Sequence, residues 1–202
     1  FFETGTSPQN AYDLIEGIRG YCPIVYVTGN HESGLDDLEG PMKYLACHGV
    51  TVLRNDSFYL HQGNEKIRIY GIDDPIVSGH DRRKDVQNRI MKEAVMKMDE
   101  QDHSAPYTVL LSHRPEYFED YARQAVDLVL CGHTHGGQFR FPLVGALYAP
   151  FQGLFPDYVQ GIYAKDKMVM EVTSGLGNSH IPFRVGVTPE IVTIVLKRKE
   201  TV

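Results

Sequence analysis

The chain has 202 residues, 42% hydrophobic and 23% charged, close to the average for globular domains and enough for one sizeable core. Its formal net charge of −6 argues against a general nucleic-acid binder, which presents a basic face; a small phosphorylated substrate stays open, because bound cations supply local positive charge. No run is long and apolar enough for a transmembrane helix. The cysteines Cys22, Cys47 and Cys131 stand apart in no ligand pattern and are read as reduced, buried thiols.

No repeat or low-complexity linker divides the chain, which is read as a single domain over residues 1–202. Ser7 is the expected N-cap of a first helix, with Pro8 in its first turn, Ala11, Leu14, Ile15 and Ile18 on one face, and Gly20 as its end. A β-rich run from Ile24 follows. A second helix is expected from Pro41 to His48, stopped by Gly49. Val50–Leu53, Phe58–Leu60 and Ile67–Tyr70 read as strands, the last two joined by a hairpin turn through Gln62-Gly-Asn64. The charge run Asp81–Asp85 reads as the solvated entrance to a helix over Lys84–Met98, whose Val86, Ile90, Met91, Ala94, Val95 and Met98 form a core-facing stripe. Further strands are expected at Tyr107–Leu111, Leu128–Leu130, Met168–Val172 and Ile191–Leu196. Helices and strands alternating in this way specify an α/β sandwich.

Three of the strand-like runs end in chemistry. Asp127–Cys131 leads into Gly132-His133-Thr134-His135, two imidazoles one residue apart with glycines around them. Ile24–Thr28 leads into Gly29-Asn30-His31-Glu32, and Tyr107–Leu111 into Ser112-His113. Where sheet strands share a direction, their C-terminal ends collect in one crevice, the place where α/β folds bind ligands. Arg114 adjoins His113 and is a candidate for gripping a substrate phosphate; Arg184 is a second, lesser one. His48, His61, His80, His103 and His180 lack paired spacing and read as surface or capped histidines.

The segment from Phe139 to Tyr163 carries Phe139, Phe141, Tyr148, Phe151, Phe155, Tyr158 and Tyr163 and starts at the mouth of this crevice. It reads as a long loop packed on its own aromatics, or as a hydrophobic rim that accepts an apolar substrate part or rests on a bilayer.

Gly29-Asn-His-Glu32, Ser112-His113 and Gly132-His-Thr-His135, in this order, resemble the later motifs of the calcineurin-like metallophosphoesterases. Gly136-Gly-Gln138, Gly145–Pro150, Gly161-Ile-Tyr163 and Gly175–Ser179 resemble one branch of that family, small bacterial phosphoesterases often attached to the cell envelope. The resemblance implies a metallophosphoesterase-like four-layer sandwich of two mixed sheets flanked by helices. It implies that Asn30, His113 and His133 bind one metal, that His135 binds a second, and that His31 faces the substrate and protonates or stabilises the leaving oxygen. Two divalent ions are implied as cofactors, manganese, iron or zinc by the chemistry of such ligands, together with hydrolysis of a phosphoester, a phosphodiester in preference, by metal-bound hydroxide. The expected partner is a small phosphorylated substrate, lipid- or nucleotide-linked, with peripheral membrane contact as an option and a location in the cytoplasm or at the membrane periphery.

The chain departs from the family in one respect. No Asp-x-His precedes residue 30 and no Gly-Asp-x-x-Asp occurs; the only upstream aspartate, Asp13, lies in a helical pattern. The expectation is an N-terminally incomplete chain that lacks two strands and their ligands and is inactive as it stands, with His133 in a site retaining three ligands and His135 in one retaining a single ligand. The alternatives are a non-catalytic binding module on the same fold, strands donated by another chain, or a zinc-binding structural domain.

Overall fold

The computed structural model describes residues 2, 7–99, 107–177 and 183–198. Helix α1 (Gln9–Ile18) is followed by β1 (Ile24–Tyr26), α2 (Glu39–Cys47), β2 (Val50–Val52), β3 (Asp56–Gln62), β4 (Glu65–Gly71), α3 (Pro75–Gly79) and α4 (Lys84–Asp99). Then come β5 (Thr108–Leu111), α5 (Phe118–Tyr121), β6 (Leu128–Cys131), four two-residue strands β7 to β10 between Arg140 and Leu154, β11 (Gly161–Lys165) and β12 (Met168–Val172).

Six strands form one mixed sheet in the order β11-β12-β6-β5-β4-β3. Its four central strands run parallel, and β3 and β11 close the edges antiparallel. The β3–β4 hairpin pairs Gln62 with Glu65 and turns on Gly63 at φ 61°, a positive φ that suits glycine at the first central position of a type II′ turn. β1 and β2 make a separate parallel pair. A Cβ on Gly71 would meet Leu53 Cβ at 2.4 Å and Val27 Cγ1 at 2.7 Å, so a glycine stands where the chain following each small strand packs against β4.

Two cores flank these sheets. Tyr70, Leu110, Val129 and Met170 alternate inward along four neighbouring strands and pack on Met91, Val95 and Met98 of α4 and on Tyr117, Phe118 and Tyr121. The methionines of the α4 stripe, Met91 and Met98, are thus core residues, and Met96, off the stripe, is exposed. Full burial of such a side chain stabilises the fold by about 1.5–3 kcal/mol. On the other side, Ala11 and Ile15 of α1 and Met42 and Leu45 of α2 cover β1 and β2. Helices, small sheet, large sheet and helices make the four layers implied by the resemblance.

Several boundaries differ from the sequence reading. Pro8, not Ser7, holds the N-cap position of α1, and Ser7 Oγ accepts the Gln9 amide at 3.2 Å; Leu14 is exposed because only Ala11 and Ile15 reach the core. α2 opens two residues before Pro41, since Asp37 Oδ1 accepts the Gly40 amide at 3.0 Å. Ile191–Leu196 is not a strand: it has no ladder partner among the described residues, and β propensity without a partner leaves the backbone unpaired. Cys131 is buried, but Cys22 and Cys47 are exposed, and all three thiols are free. The segment after Phe139 is no bare loop, since β7 pairs with β8, β9 with β10, and β11 joins the large sheet. His103 and His180 lie outside the described residues. No helix among the described residues is long and apolar enough to cross a membrane.

Candidate metal centre

The parallel strands β4, β5 and β6 deliver their C-terminal residues to one edge, and the loop after β1 reaches the same place. Asn30 precedes a 3-10 turn at His31–Gly34. Glu32, in that turn, is buried and fixes it: its carboxylate accepts the Gly29 amide and the Tyr26 hydroxyl, both at 2.8 Å, and the Phe2 amide at 3.0 Å. Gly29 itself lies against the His113 imidazole, where a Cβ would stand 3.0–3.1 Å from the ring. Glycine at 29 lets the two strand ends close.

His113 Nε2 lies 2.9 Å from Asn30 Oδ1 and 3.0 Å from His133 Nδ1. One Nε2 proton cannot serve two acceptors well, so the three atoms form a group short of donors. His133 Nε2 is buried and has no hydrogen-bond partner among the described residues. Burial pushes the His113 pKa down to about 4, against the pull of Asp74, and burial together with the charges of His113 and Arg114 holds His133 well below the usual histidine range. Both rings are neutral at pH 7, with lone pairs to offer. Two imidazoles and an amide oxygen at these separations fit one borderline divalent cation such as zinc, manganese or iron, whose ligands sit about 2.0–2.2 Å from the ion. Among the described residues no group of three or more His, Cys, Asp and Glu side chains is placed to hold a metal ion.

His135 is held separately. Its Nδ1 lies 3.0 Å from the Gly177 carbonyl, which also accepts from Arg184, and burial is the main cause of its lowered pKa. The turn that carries both histidines is strained, with His133 at φ 73°, His135 at 49° and Gln138 at 46°. Each left-handed non-glycine residue costs of order 1–3 kcal/mol, and such outliers cluster at functional sites. The turn is secured by Thr134 Oγ1, which donates to the Val159 carbonyl at 2.6 Å, and by Gln138 Nε2, which donates to the Phe183 carbonyl at 3.2 Å. Gly137, at φ 80°, has no room for a Cβ, which would meet Ala146 at 2.3 Å.

Arg114, the candidate for gripping a substrate phosphate, is engaged by carboxylates. It is fully buried: Nε and one terminal nitrogen donate to the two Asp74 oxygens at 2.5 and 3.0 Å, and the other terminal nitrogen lies 3.3 Å from Glu116. Its guanidinium carbon sits 3.9 Å from the centre of the Phe151 ring, which in turn lies 5.6 Å from the His133 ring. A buried guanidinium needs a carboxylate partner, and Asp74 supplies it while capping α3 through the Ile76 amide. The neighbouring Asp73 binds Thr28 at 2.8 Å and Arg54 at 2.9 Å. The sequence reading passed over Asp73-Asp74; the available signal was a carboxylate pair at the end of a strand-like run. One terminal nitrogen of Arg184 donates to the carbonyls of Gly175 and Gly177, while its Nε and other terminal nitrogen are buried without a partner among the described residues.

Beside the centre opens a cavity of about 520 Å³. Its lining combines the polar Asn30, His31, His133, His135 and Arg82 with the aromatic and proline surfaces of Phe139, Tyr148, Pro150 and Phe151. The structure thus brings His31 and His135 to the same cavity as the donor cluster and sends Arg114 behind it.

The model of the calcineurin-like phosphoesterase family matches residues 1–137. The protein YpbG of Bacillus subtilis (strain 168) is 29% identical over 86% of this chain and 58% of its own length. The metallophosphoesterase YkuE of the same organism is 29% identical over 94% of this chain and 61% of its own. The phosphodiesterase YaeI of Escherichia coli (strain K12) is 26% identical over 91% and 62%. The chain therefore spans about three-fifths of the length of these relatives. With two-thirds of its residues inside the family match, it belongs to the calcineurin-like phosphoesterases.

Proposed function

We propose that the site hydrolyses phosphoesters, with phosphodiesters preferred, and that Asn30, His113 and His133 hold one divalent cation while His135 serves a second. The observation that carries this reading is the convergence of Asn30, His113 and His133 from three strand ends, with a buried His133 nitrogen lacking a partner among the described residues. Family membership and the name of the phosphodiesterase relative support the reaction type. Divalent cations at such sites supply a nucleophilic water at neutral pH and positive charge for the phosphoryl oxygens. The chain's own contribution is positional. Gly29 and Glu32 fix Asn30 and His31, and the strained turn positions His133 and His135. His31, at the cavity edge, is the residue proposed to donate a proton to the leaving oxygen.

The test is turnover of bis-p-nitrophenyl phosphate and p-nitrophenyl phosphate by the full-length parent protein with manganese, beside Asn30→Ala and His31→Ala. The reading expects diester cleavage that needs the metal and is abolished in Asn30→Ala. His31→Ala is expected to fall by about 100-fold with metal binding intact. Absence of metal-dependent cleavage by the parent protein contradicts it.

A further inference from the structure

The charge run Asp81–Asp85 is solvated as expected, with residues 82 to 85 exposed, but its two arginines differ in their partners. Arg83 is held by Asp81, which accepts its backbone amide at 2.8 Å and a terminal guanidinium nitrogen at 2.8 Å. Arg82 makes no ion pair or hydrogen bond with any described residue, and it lines the cavity beside the histidines. Among the described residues that line this cavity it is the one side chain charged at every working pH. Its backbone sits in the short connection between α3 and α4.

We propose that Arg82 is a specificity-determining residue that binds the anionic oxygens of the substrate's phosphoryl group, with Phe139, Tyr148, Pro150 and Phe151 receiving an apolar ester arm. This rests on the reading of the cavity as a phosphoester site. A guanidinium offers two parallel donors that match two phosphoryl oxygens, and it is more weakly hydrated than an ammonium, so the exchange of water for phosphate favours it. Phe139, Tyr148, Pro150 and Phe151 bring aromatic and proline surface without charge to the same cavity, which suits an aryl or acyl group and not a second anion. The substrate class is therefore a phosphodiester with one apolar arm.

The experiment is a phosphorus NMR titration of phenylphosphonate and of inorganic phosphate into the protein with zinc, for the parent, Arg82→Gln, Arg82→Lys and Arg83→Gln. The two Gln variants lose the same charge at adjacent positions. Arg82→Gln is expected to weaken phenylphosphonate binding by about tenfold, with partial rescue in Arg82→Lys, while Arg83→Gln stays within about twofold. Phenylphosphonate is expected to bind more tightly than phosphate in the parent. Equal losses in the two Gln variants reduce the effect to the general field of the protein and overturn the assignment, as does no loss in Arg82→Gln. If the parent binds neither ligand, the phosphoester reading of the cavity itself falls.

Discussion

Asn30, His113 and His133 meet because small residues and buried carboxylates around them permit it. Gly29→Ala tests the first of these. The added Cβ would press on the His113 ring at 3.0–3.1 Å, a contact relieved by moving the ring a few tenths of an ångström. The expected outcome is a loss of divalent-ion affinity of about tenfold with thermal stability little changed, read by calorimetric titration and denaturation of the same sample. Asp74→Asn tests the second. Asparagine keeps an oxygen for the Ile76 amide but leaves the Arg114 charge buried without a counter-ion. Urea denaturation is expected to show a loss of about 3–5 kcal/mol. A loss below about 1 kcal/mol, the range of exposed ion pairs, would mean that the pair does not hold α3 in place.

At the scale of elements, the 3-10 turn at His31–Gly34 and the turn after β6 do more for the site than any helix does. The segment before residue 198 has no strand to join and is fixed by Glu190, whose carboxylate accepts the Ser174 amide at 2.7 Å and Gln160 Nε2 at 2.9 Å. The bond from the Ser174 amide is the main reason its pKa lies below the usual glutamate value. A carboxylate whose folded pKa is depressed stabilises the fold fully above its unfolded pKa, about 4.3, and loses that contribution as pH falls through the folded value. Melting temperatures of the parent and Glu190→Gln should therefore differ at pH 6 and converge as pH is lowered past about 4. A gap that stays constant over this range would assign Glu190 no ionic role. The elements that periodicity found include the α4 stripe and every strand of the large sheet but β11. Periodicity missed β7 to β10, because two-residue strands in a glycine- and proline-rich stretch have no alternation to read.

For the whole molecule, the strand ends were legible because glycine, asparagine and histidine followed directly on apolar runs. The four layers and the gathering of His31, His113, His133 and His135 follow from that pattern once the central strands run parallel. The role of Arg114 was not legible, because its partner Asp74 lies 40 residues away on β4's trailing loop, and only the fold decides whether a guanidinium turns toward a cavity or a carboxylate. The contrast between Arg82 and Arg83 was hidden in the same way inside a single charge run. The claim on which the account turns is that three strand ends make one metal centre. Manganese binding followed by electron spin resonance tests it directly in the parent, Asn30→Ala and His133→Ala proteins. The account predicts that the parent binds the ion and that each variant, still folded by circular dichroism, releases it. Binding by the folded variants equal to that of the parent, or none by the parent, would contradict it.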